Sequence, residues 1–531
     1  MPPSEPAWRV GLNWLALAAG LALVLAGAAA GAARVDIAAV LPLTLGFLPA
    51  TLVAVVGGAM VGRMVAQGLL RAGGESGFVA SLLAVVAGVS VVVAVVGVAA
   101  WGPARRPAVL AAAAVGLALG VAVMAIARAG LRRALAYRLA PKPTNRTPWL
   151  TFVLAALAGG GLALVGSARS EVTPAAAAAA FPPPTGRVAV LAVDGLARED
   201  LEAAVALGGP PGITAIASWG WAPLRVGDAH LPAVLWTTVA CGVGPERHGV
   251  EELEEVRLFG SDLGTPLGPL ARAAVLTPWG SLGLGRAVAR PALVRRAATF
   301  WEMAARAGCP VLVGGWWGSW PVRRVLGEIV SERAWLGGAV SPDAVTPALA
   351  PLVRAAWEQG GGAVPASERL ALALVNRGRA GTGPRVLALS LPGIDLVERA
   401  HPGLSPVATA CLVLERLGAV ADVVESARQA GFSILLVGVP WHGGHAFVAS
   451  SAAASGRLPE IEPRDLASTC LDALGLPPAL GTPAPRRDLS GASGPGRDAI
   501  SYGPPPPPVA DPAPAALAVQ REVLRSLGYL Q

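Results

Sequence analysis

Five apolar stretches, each about 20 residues or longer and free of charged side chains, occupy the first third of the 531-residue chain. A stretch of this length is sufficient for a helix to cross the roughly 30 Å hydrocarbon core of a bilayer. The pattern therefore predicts a transmembrane region of about five helices within residues 1–170. The predicted spans are residues 14–33, 37–62, 78–102, 107–127 and 148–168.

The hydrophobic pattern changes after an Ala/Pro linker at residues 171–187. Short, continuously apolar runs at 188–193, 311–315, 386–391 and 434–439 are typical of strands buried on both faces, and helical stretches separate them. This alternation predicts an α/β domain at 188–480 with a central, mostly parallel sheet flanked by helices. A Pro-rich tail with a terminal helix is predicted at 481–531, its proline run acting as a stiff spacer.

Composition and charge support a membrane part. The chain is 54% hydrophobic and only 14% charged, which is too apolar for a wholly soluble protein. The net charge of +8 does not predict a nucleic-acid partner, because much of the basic excess lies between the predicted spans. Four cysteines lie far apart without a CxxC motif, so neither a zinc knuckle nor a disulfide framework is indicated.

The distribution of Arg and Lys between the predicted spans sets the topology, because positive loops stay in the cytoplasm. With a cytoplasmic amino terminus, four basic residues fall outside: Arg34, Arg105, Arg106 and Arg169. Nine fall inside: Arg9, Arg63, Arg71, Arg128, Arg132, Arg133, Arg138, Lys142 and Arg146. The sequence thus predicts a multi-pass protein of the cell (plasma) membrane whose region after residue 171 is extracytoplasmic.

Candidate chemistry follows the predicted strands. In a parallel sheet the functional site lies beyond the carboxyl ends of the strands. Asp194 follows the first apolar run, Asp395 lies just after the third, and His442 and His445 follow the fourth. Asp and His at successive strand ends are the donors that a divalent metal site requires, although Asp-Gly after a strand is also ordinary turn chemistry.

Five segments in a fixed order resemble the alkaline phosphatase superfamily, in particular its type I phosphodiesterase and nucleotide pyrophosphatase branch. They are "VAVLAVDGL"; "LWTTVACGVGPERHGV"; "AATFWEMAARAGCPVLVGGWWGSWPV" with "GEIVSER"; "LPGIDLV"; and "IEPRDLASTCLDALGLP" with "LRSLGYL". The resemblance implies a hydrolase fold with two divalent metals, usually zinc, held by three Asp and three His, and a Ser or Thr nucleophile. Asp194, Asp395, His442 and His445 match four of the implied metal ligands. Paired cations of this kind neutralise ester oxygens and activate the nucleophile.

The sequence departs from that pattern at the nucleophile. The position that the resemblance assigns to the attacking hydroxyl holds Pro232, which has no hydroxyl and no side-chain ligand. Thr237 and Thr238 are the nearest hydroxyls. They fall within the following helix, where packing or hydrogen bonding to a carbonyl one turn back is the commoner role.

Two implied metal ligands are also replaced. Arg399 stands where a His is implied, with His401 two residues later, and Trp441 stands where an Asp is implied. Each metal position keeps two protein ligands, so zinc or another divalent metal would bind weakly unless Asp228 and His230 complete the shell. The alternative is that Arg399, paired with Asp395 or Asp194, supplies the positive charge and makes an anion-binding pocket.

The tryptophans Trp316, Trp317 and Trp320 have two interpretations. They could line a substrate or headgroup cleft, but large aromatics after a strand more often pack with a satisfied indole N–H.

Two functions remain open from the sequence. The first is a membrane-anchored, extracytoplasmic phosphodiesterase or phosphohydrolase with a remodelled site. The second is a catalytically silent pseudoenzyme that binds the bilayer and a phosphorylated small molecule, lipid headgroup, glycan or protein partner.

The charge asymmetry generates a testable topology. We expect an alkaline phosphatase reporter fused after Arg187 to be active, because that enzyme works only outside the cytoplasm, and a cytoplasmic reporter at the same position to be inactive. A fusion after residue 71 serves as the matched control and should give the opposite pair of results. Activity of the cytoplasmic reporter after Arg187 would disprove the orientation.

Overall fold

The computed structural model describes the part of the chain that follows the predicted membrane region. The described residues are 181–227, 231–250, 253–258, 261–262, 276, 279–280, 282, 284–289, 295–379, 383–401, 406–441, 443–492, 496–510 and 514–529. The five predicted spans lie outside this part, as do Asp228, His230 and His442. Within it, no helix combines the length and apolarity needed to cross a membrane.

The described part contains short strands. They are β1 (Val188–Asp194), β2 (Gly220–Pro223), β3 (Glu254–Leu258), β4 (Ser261–Asp262), β5 (Gly285–Ala289), β6 (Val311–Gly314), β7 (Gly327–Val330), β8 (Val386–Leu391), β9 (Ser433–Val439), β10 (Phe447–Ser450) and β11 (Gly456–Arg457).

Eight strands form one sheet in the order β11-β2-β10-β9-β1-β8-β6-β7. The central strand β1 runs parallel to both of its neighbours, β8 and β9, and only β10 is antiparallel to the strands beside it. Strands β1, β6, β8 and β9 match the four predicted apolar runs to within one residue. The predicted mostly parallel sheet is confirmed, because continuous apolar runs fit strands that are covered on both faces.

The chain divides into two compact units. The larger, Thr173–Leu253 with Ala289–Gln531, contains the eight-stranded sheet and the residues after Leu480. In the other unit, the described residues form most of a three-stranded sheet in the order β4-β3-β5, with β3 and β4 antiparallel.

Helices of the larger unit connect its strands. They are α1 (Arg198–Ala206), α2 (Pro211–Ala217), α3 (Pro232–Cys241), α4 (Pro245–His248), α5 (Phe300–Arg306), α6 (Glu332–Gly337), α7 (Ala350–Glu358), α8 (Ala363–Gly378), α9 (Gly393–Ala400), α10 (Pro406–Gln429), α11 (Asp465–Ala473), α12 (Arg487–Ser490) and α13 (Pro514–Ser526). One group packs around α8 and α10, and another packs around α3, α5 and α11. Because β1 and β8 are buried along their whole length, we infer that the two groups cover opposite faces of the sheet.

The segment 503–529 is fastened to this unit along its length. Arg306 donates to the carbonyl oxygens of Tyr502 and Pro504, and Arg323 Nη1 donates to the Pro506 carbonyl at 2.6 Å. The backbone N–H of Val509 donates to Val322 O at 2.8 Å. Proline carbonyls have no partner within a polyproline helix, so arginine donors suit them. The run then leads into α13, which packs against α6.

Candidate functional site

Two aspartates meet at the carboxyl ends of the central strands. Asp194 is the last residue of β1, and Asp395 lies in the first turn of α9, directly after β8. Gly195 follows Asp194 with a φ of 87°, and a Cβ at this position would lie 2.6 Å from the backbone N of Asp395. Only glycine permits both the dihedral and this close approach. Both aspartate side chains are completely buried.

Nitrogen donors occupy three of the four carboxylate oxygens. The indole Nε1 of Trp236 donates to Asp194 Oδ1 at 2.6 Å. The Nε of Arg399 lies 2.9 Å from both oxygens of Asp395, one helical turn away on α9. The pairing of Arg399 with Asp395 confirms one of the two pairings expected from the sequence. Within the described residues, Asp194 Oδ2 has no hydrogen-bond partner.

The charge of this group is largely cancelled inside the protein. Burial, together with the negative charge of Asp395, raises the pKa of Asp194 to about 8, although Trp236, Trp317 and Arg399 favour its ionised form. A carboxyl deprived of water and placed beside a second carboxylate keeps its proton. At neutral pH the site therefore holds a neutral Asp194 beside the ion pair of Arg399 with Asp395.

Tyr529 and Trp317 cover the carboxylates. The Arg399 guanidinium carbon lies 4.5 Å from the centre of the Tyr529 ring, and its Nη1 donates to Gly528 O at 3.3 Å. Trp317 packs edge-to-face on Tyr529 with 5.0 Å between ring centres. Burial and then the charges of Asp395 and Asp194 raise the pKa of Tyr529 well above its ordinary value, so its phenol stays neutral. The fastened segment 503–529 thus closes the site.

Trp316 and Trp320 have satisfied indole groups. Trp316 Nε1 donates to Trp236 O at 2.9 Å, and Trp320 Nε1 donates to Asp343 Oδ2 at 2.9 Å. Both side chains are buried, which supports a role in core packing rather than in lining a cleft.

Glu332 fixes the loop that carries these tryptophans. Its Oε2 accepts hydrogen bonds from Ser319 N at 3.1 Å, Ser319 Oγ at 2.8 Å and Trp320 N at 2.8 Å. Burial raises the pKa of Glu332 to about 7, although these hydrogen bonds favour its ionised form. The position of Trp317 over the aspartates therefore depends on a buried carboxyl group of the following helix.

The candidate hydroxyls lie on α3. Pro232 is its first residue, where the missing N–H costs no helical hydrogen bond. Thr238 Oγ1 donates to Val234 O at 2.8 Å, which is the bond to the preceding turn expected from the sequence. Thr237 is buried, and its hydroxyl has no partner within the described residues. Neither threonine presents an exposed nucleophile.

The structure gathers only part of the predicted metal set. Asp194 and Asp395 come together in the core. The side chain of His445 is 81% exposed and pairs through Nδ1 with Glu199 on α1. His401 is also exposed, and its Nδ1 lies 3.1 Å from Val397 O.

The described residues do not fit a two-metal centre. Metal ions need carboxylate oxygens as free ligands, whereas Arg399 and Trp236 direct N–H groups at those oxygens. A cation bound to Asp395 would also be repelled by the positive charge of the Arg399 guanidinium, whose Nε lies 2.9 Å from both carboxylate oxygens. Within the described residues, which leave out His442, Asp228 and His230, no cluster of three or more His, Cys, Asp or Glu suited to a metal occurs.

Sequence reasoning assigned no role to two residues of the site, Trp236 and Tyr529. Both lie in segments that carry the family resemblance, "LWTTV" and "LRSLGYL". In both motifs the sequence shows an aromatic side chain with a polar atom among apolar residues. Such a side chain usually forms a hydrogen bond when it is buried, and this could have indicated the roles of Trp236 and Tyr529.

The sequence matches no protein-family model, and no curated protein matches it either. Among solved structures, the chain is similar to phosphonoacetate hydrolase from Sinorhizobium meliloti 1021, with 18% identity over 49% of this chain and a TM-score of 0.33. It is also similar to murine ectonucleotide pyrophosphatase/phosphodiesterase 5, with 12% identity over 48% of this chain and a TM-score of 0.30. Phosphonate monoester hydrolase from Silicibacter pomeroyi shows 13% identity over 58% of this chain and 78% of its own, with a TM-score of 0.35.

The chain spans 57% of the phosphonoacetate hydrolase and 56% of the murine protein. By their names, all three neighbours are hydrolases or phosphodiesterases. At such TM-scores they carry no argument about the site or activity of this chain.

Removal of the guanidinium should destabilise the domain. We expect Arg399→Gln to lower the free energy of unfolding by about 2–4 kcal/mol, because it leaves Asp395 buried without a compensating charge. Urea unfolding followed by tryptophan fluorescence measures the change. The double variant Arg399→Gln with Asp395→Asn should recover part of the loss, and a double variant no more stable than the single one would contradict this account.

The carboxyl group of Glu332 should make stability depend on pH. Below pH 4.5, its ordinary pKa, both folded and unfolded chains hold the proton. Between pH 4.5 and 7 only the folded chain holds it, so its contribution to stability falls as the pH rises through the folded pKa of about 7.

We therefore expect the stability difference, wild type minus Glu332→Gln, to fall by about 2–3 kcal/mol across this range, since one pKa unit corresponds to about 1.4 kcal/mol. Unfolding curves at a series of pH values measure it. The exposed Glu522→Gln variant is the control and should give a flat difference. Parallel curves for wild type and Glu332→Gln would refute the prediction.

Proposed function

We propose that the α/β domain is a catalytically silent, phosphodiesterase-like domain of a membrane-anchored protein. The motifs of the sequence support the phosphoesterase class. One observation supports the silent state: the guanidinium of Arg399 binds both oxygens of the buried Asp395, where the resemblance implies a metal.

The chemistry of ester hydrolysis explains why this observation matters. A phosphodiesterase must neutralise the ester oxygens and bring a nucleophile to phosphorus. Asp194 and Asp395 are fully buried, and Tyr529 and Trp317 lie over them, so neither carboxylate is open to a substrate. Pro232 provides no hydroxyl. The residues of this chain thus hold a polar network together, and we propose that they do not act on a phosphate ester.

A binding role for the outer side of Arg399 is compatible with this proposal. Its side chain is 22% exposed, and its Nη2 has no hydrogen-bond partner within the described residues. A phosphorylated small molecule, lipid headgroup or glycan could bind to this nitrogen of Arg399. Because Asp395 already balances the charge of Arg399, we expect such an anion to bind weakly.

We also propose that residues 1–170 anchor the protein in the membrane and that the α/β domain is extracytoplasmic. The support is the sequence alone, namely five charge-free stretches of spanning length and the asymmetry of the basic residues between them.

The silent state predicts no metal-dependent turnover. We expect the full chain in detergent to hydrolyse bis(4-nitrophenyl) phosphate no faster than buffer does, with zinc or manganese added, and Asp194→Ala to behave identically. Metal-dependent turnover of the wild type that Asp194→Ala abolishes would overturn the proposal.

A restoring variant sharpens this test. Pro232→Thr, Arg399→His and Trp441→Asp together return the implied nucleophile and ligands, so the triple variant should retain more zinc after gel filtration than the wild type. The same triple variant carrying Asp194→Ala is the matched control and should lose the additional zinc.

A further inference from the structure

Three arginines lie at the end of the sheet opposite to the aspartates. Arg187 directly precedes β1, Arg385 directly precedes β8, and Arg379 directly follows α8. The hydrogen bond from Val188 N to Arg385 O at 2.9 Å holds Arg187 and Arg385 close together, and Ser433 N at the start of β9 donates to Arg187 O at 3.0 Å. We call Arg187, Arg379 and Arg385 the basic edge.

Every hydrogen-bond acceptor of the basic edge is neutral. Arg187 donates to the carbonyl oxygens of Pro384, Ala430 and Gly378. Arg379 donates to Ser426 O and Gln429 Oε1, and Arg385 donates to Gly186 O. Within the described residues none of the three forms an ion pair. Burial, and then the charge of Arg385, lower the pKa of Arg187, so like charges are held near one another.

Neighbouring arginines differ in this respect. Arg377 pairs with Glu328, and Arg428 pairs with Glu425. Glu425 also lies within electrostatic reach of Arg379. The five arginines of this end therefore outnumber Glu328 and Glu425 by about three positive charges. Such an excess gives a local positive field that attracts an anionic partner.

The path of the chain identifies the partner. Arg187 is the last residue of the linker 171–187, which follows the last of the five apolar stretches. Earlier linker residues already contact the larger unit, since Phe181 stacks on Tyr502 and Thr185 N donates to Leu474 O at 2.9 Å, and the linker then ends at the basic edge. A linker that joins a bilayer to this end of the domain keeps the three arginines within reach of the lipid headgroups, and their positive charge suits an anionic surface.

We propose that the basic edge docks on the anionic headgroup surface of the bilayer and so orients the domain with its aspartate end away from the membrane. The proposal rests on the membrane anchor of the proposed function. Each arginine near an anionic surface should raise the ratio of docked to undocked domain about fivefold.

Energy transfer to the bilayer tests the orientation. Cys411 is exposed, whereas Cys241, Cys309 and Cys470 are buried, so the native chain offers one site for a donor fluorophore. It lies near the start of α10, about 27 Å along the helix from Gln429 at the basic edge. A second donor site is Asn376→Cys in a Cys411→Ser chain, since Asn376 is exposed in the last turn of α8.

The full chain is reconstituted into phosphatidylcholine vesicles, with or without about one-third phosphatidylglycerol, that carry acceptor-labelled headgroups. We expect the anionic lipid to increase transfer from residue 376 but not from Cys411, and high salt to reverse the increase. Arg379→Gln with Arg385→Gln should lower the docked-to-undocked ratio about 25-fold if the two effects add. Arg379 and Arg385 are substituted instead of Arg187, because Arg187 donates to three separate backbone carbonyls and its loss would disturb the fold.

Arg369→Gln is the matched control. Arg369 also binds only neutral carbonyls, those of Ala356 and Gly360, and lies ten residues from Arg379 towards the opposite end of α8. This variant should leave the increase in transfer intact.

Equal transfer from residue 376 in both vesicle types, or an increase that survives the double variant, would overturn the docking of the basic edge. Release of the chain from neutral vesicles by carbonate would instead overturn the membrane anchor, and charge-dependent binding to anionic vesicles, lost in the double variant, would still support docking.

Discussion

Two carboxyl groups lie side by side without water at the centre of this domain, and the surrounding structure compensates them. Transfer of a charged pair out of water costs several kcal/mol per ion unless partners replace the lost hydration. Asp194 meets this constraint by keeping its proton, and Asp395 meets it through the two contacts of Arg399. Gly195 allows the close approach that brings both groups together.

The covering elements follow from the same constraint. A buried carboxyl pair must be shielded on its open side, and Tyr529 with Trp317 provides that shield. Tyr529 can do so because Arg306 and Arg323 hold the proline run in place. Trp317 can do so because Glu332 holds its loop. Residues far apart in the chain thus act on one buried network.

The two ends of the sheet have different electrostatic character. At the carboxyl ends of the strands, the guanidinium of Arg399 is balanced by Asp395 and lies under an aromatic cover. At the amino ends, Arg187, Arg379 and Arg385 donate hydrogen bonds only to neutral oxygens. A parallel sheet favours such a division, because all its strands begin at one end of the sheet and finish at the opposite end.

The sequence by itself determined the strands β1, β6, β8 and β9, because short continuous apolar runs that alternate with helical stretches are typical of strands covered on both faces. It also determined that Asp194 and Asp395 follow strands and that Arg399 stands one helical turn from Asp395. Pairs three or four residues apart in a helix face each other, so that contact is local.

The tertiary structure alone decided which groups surround the aspartates. Trp236 is 42 residues from Asp194, and Gly528 is 129 residues from Arg399. No period or spacing connects residues so far apart, because their contact depends on how helices and loops pack across the sheet. The sequence places His445 at a strand end near the aspartates, but its side chain lies at the surface and pairs with Glu199. The reason is the same, because a strand end fixes only the position of the backbone, and packing decides where the side chain points.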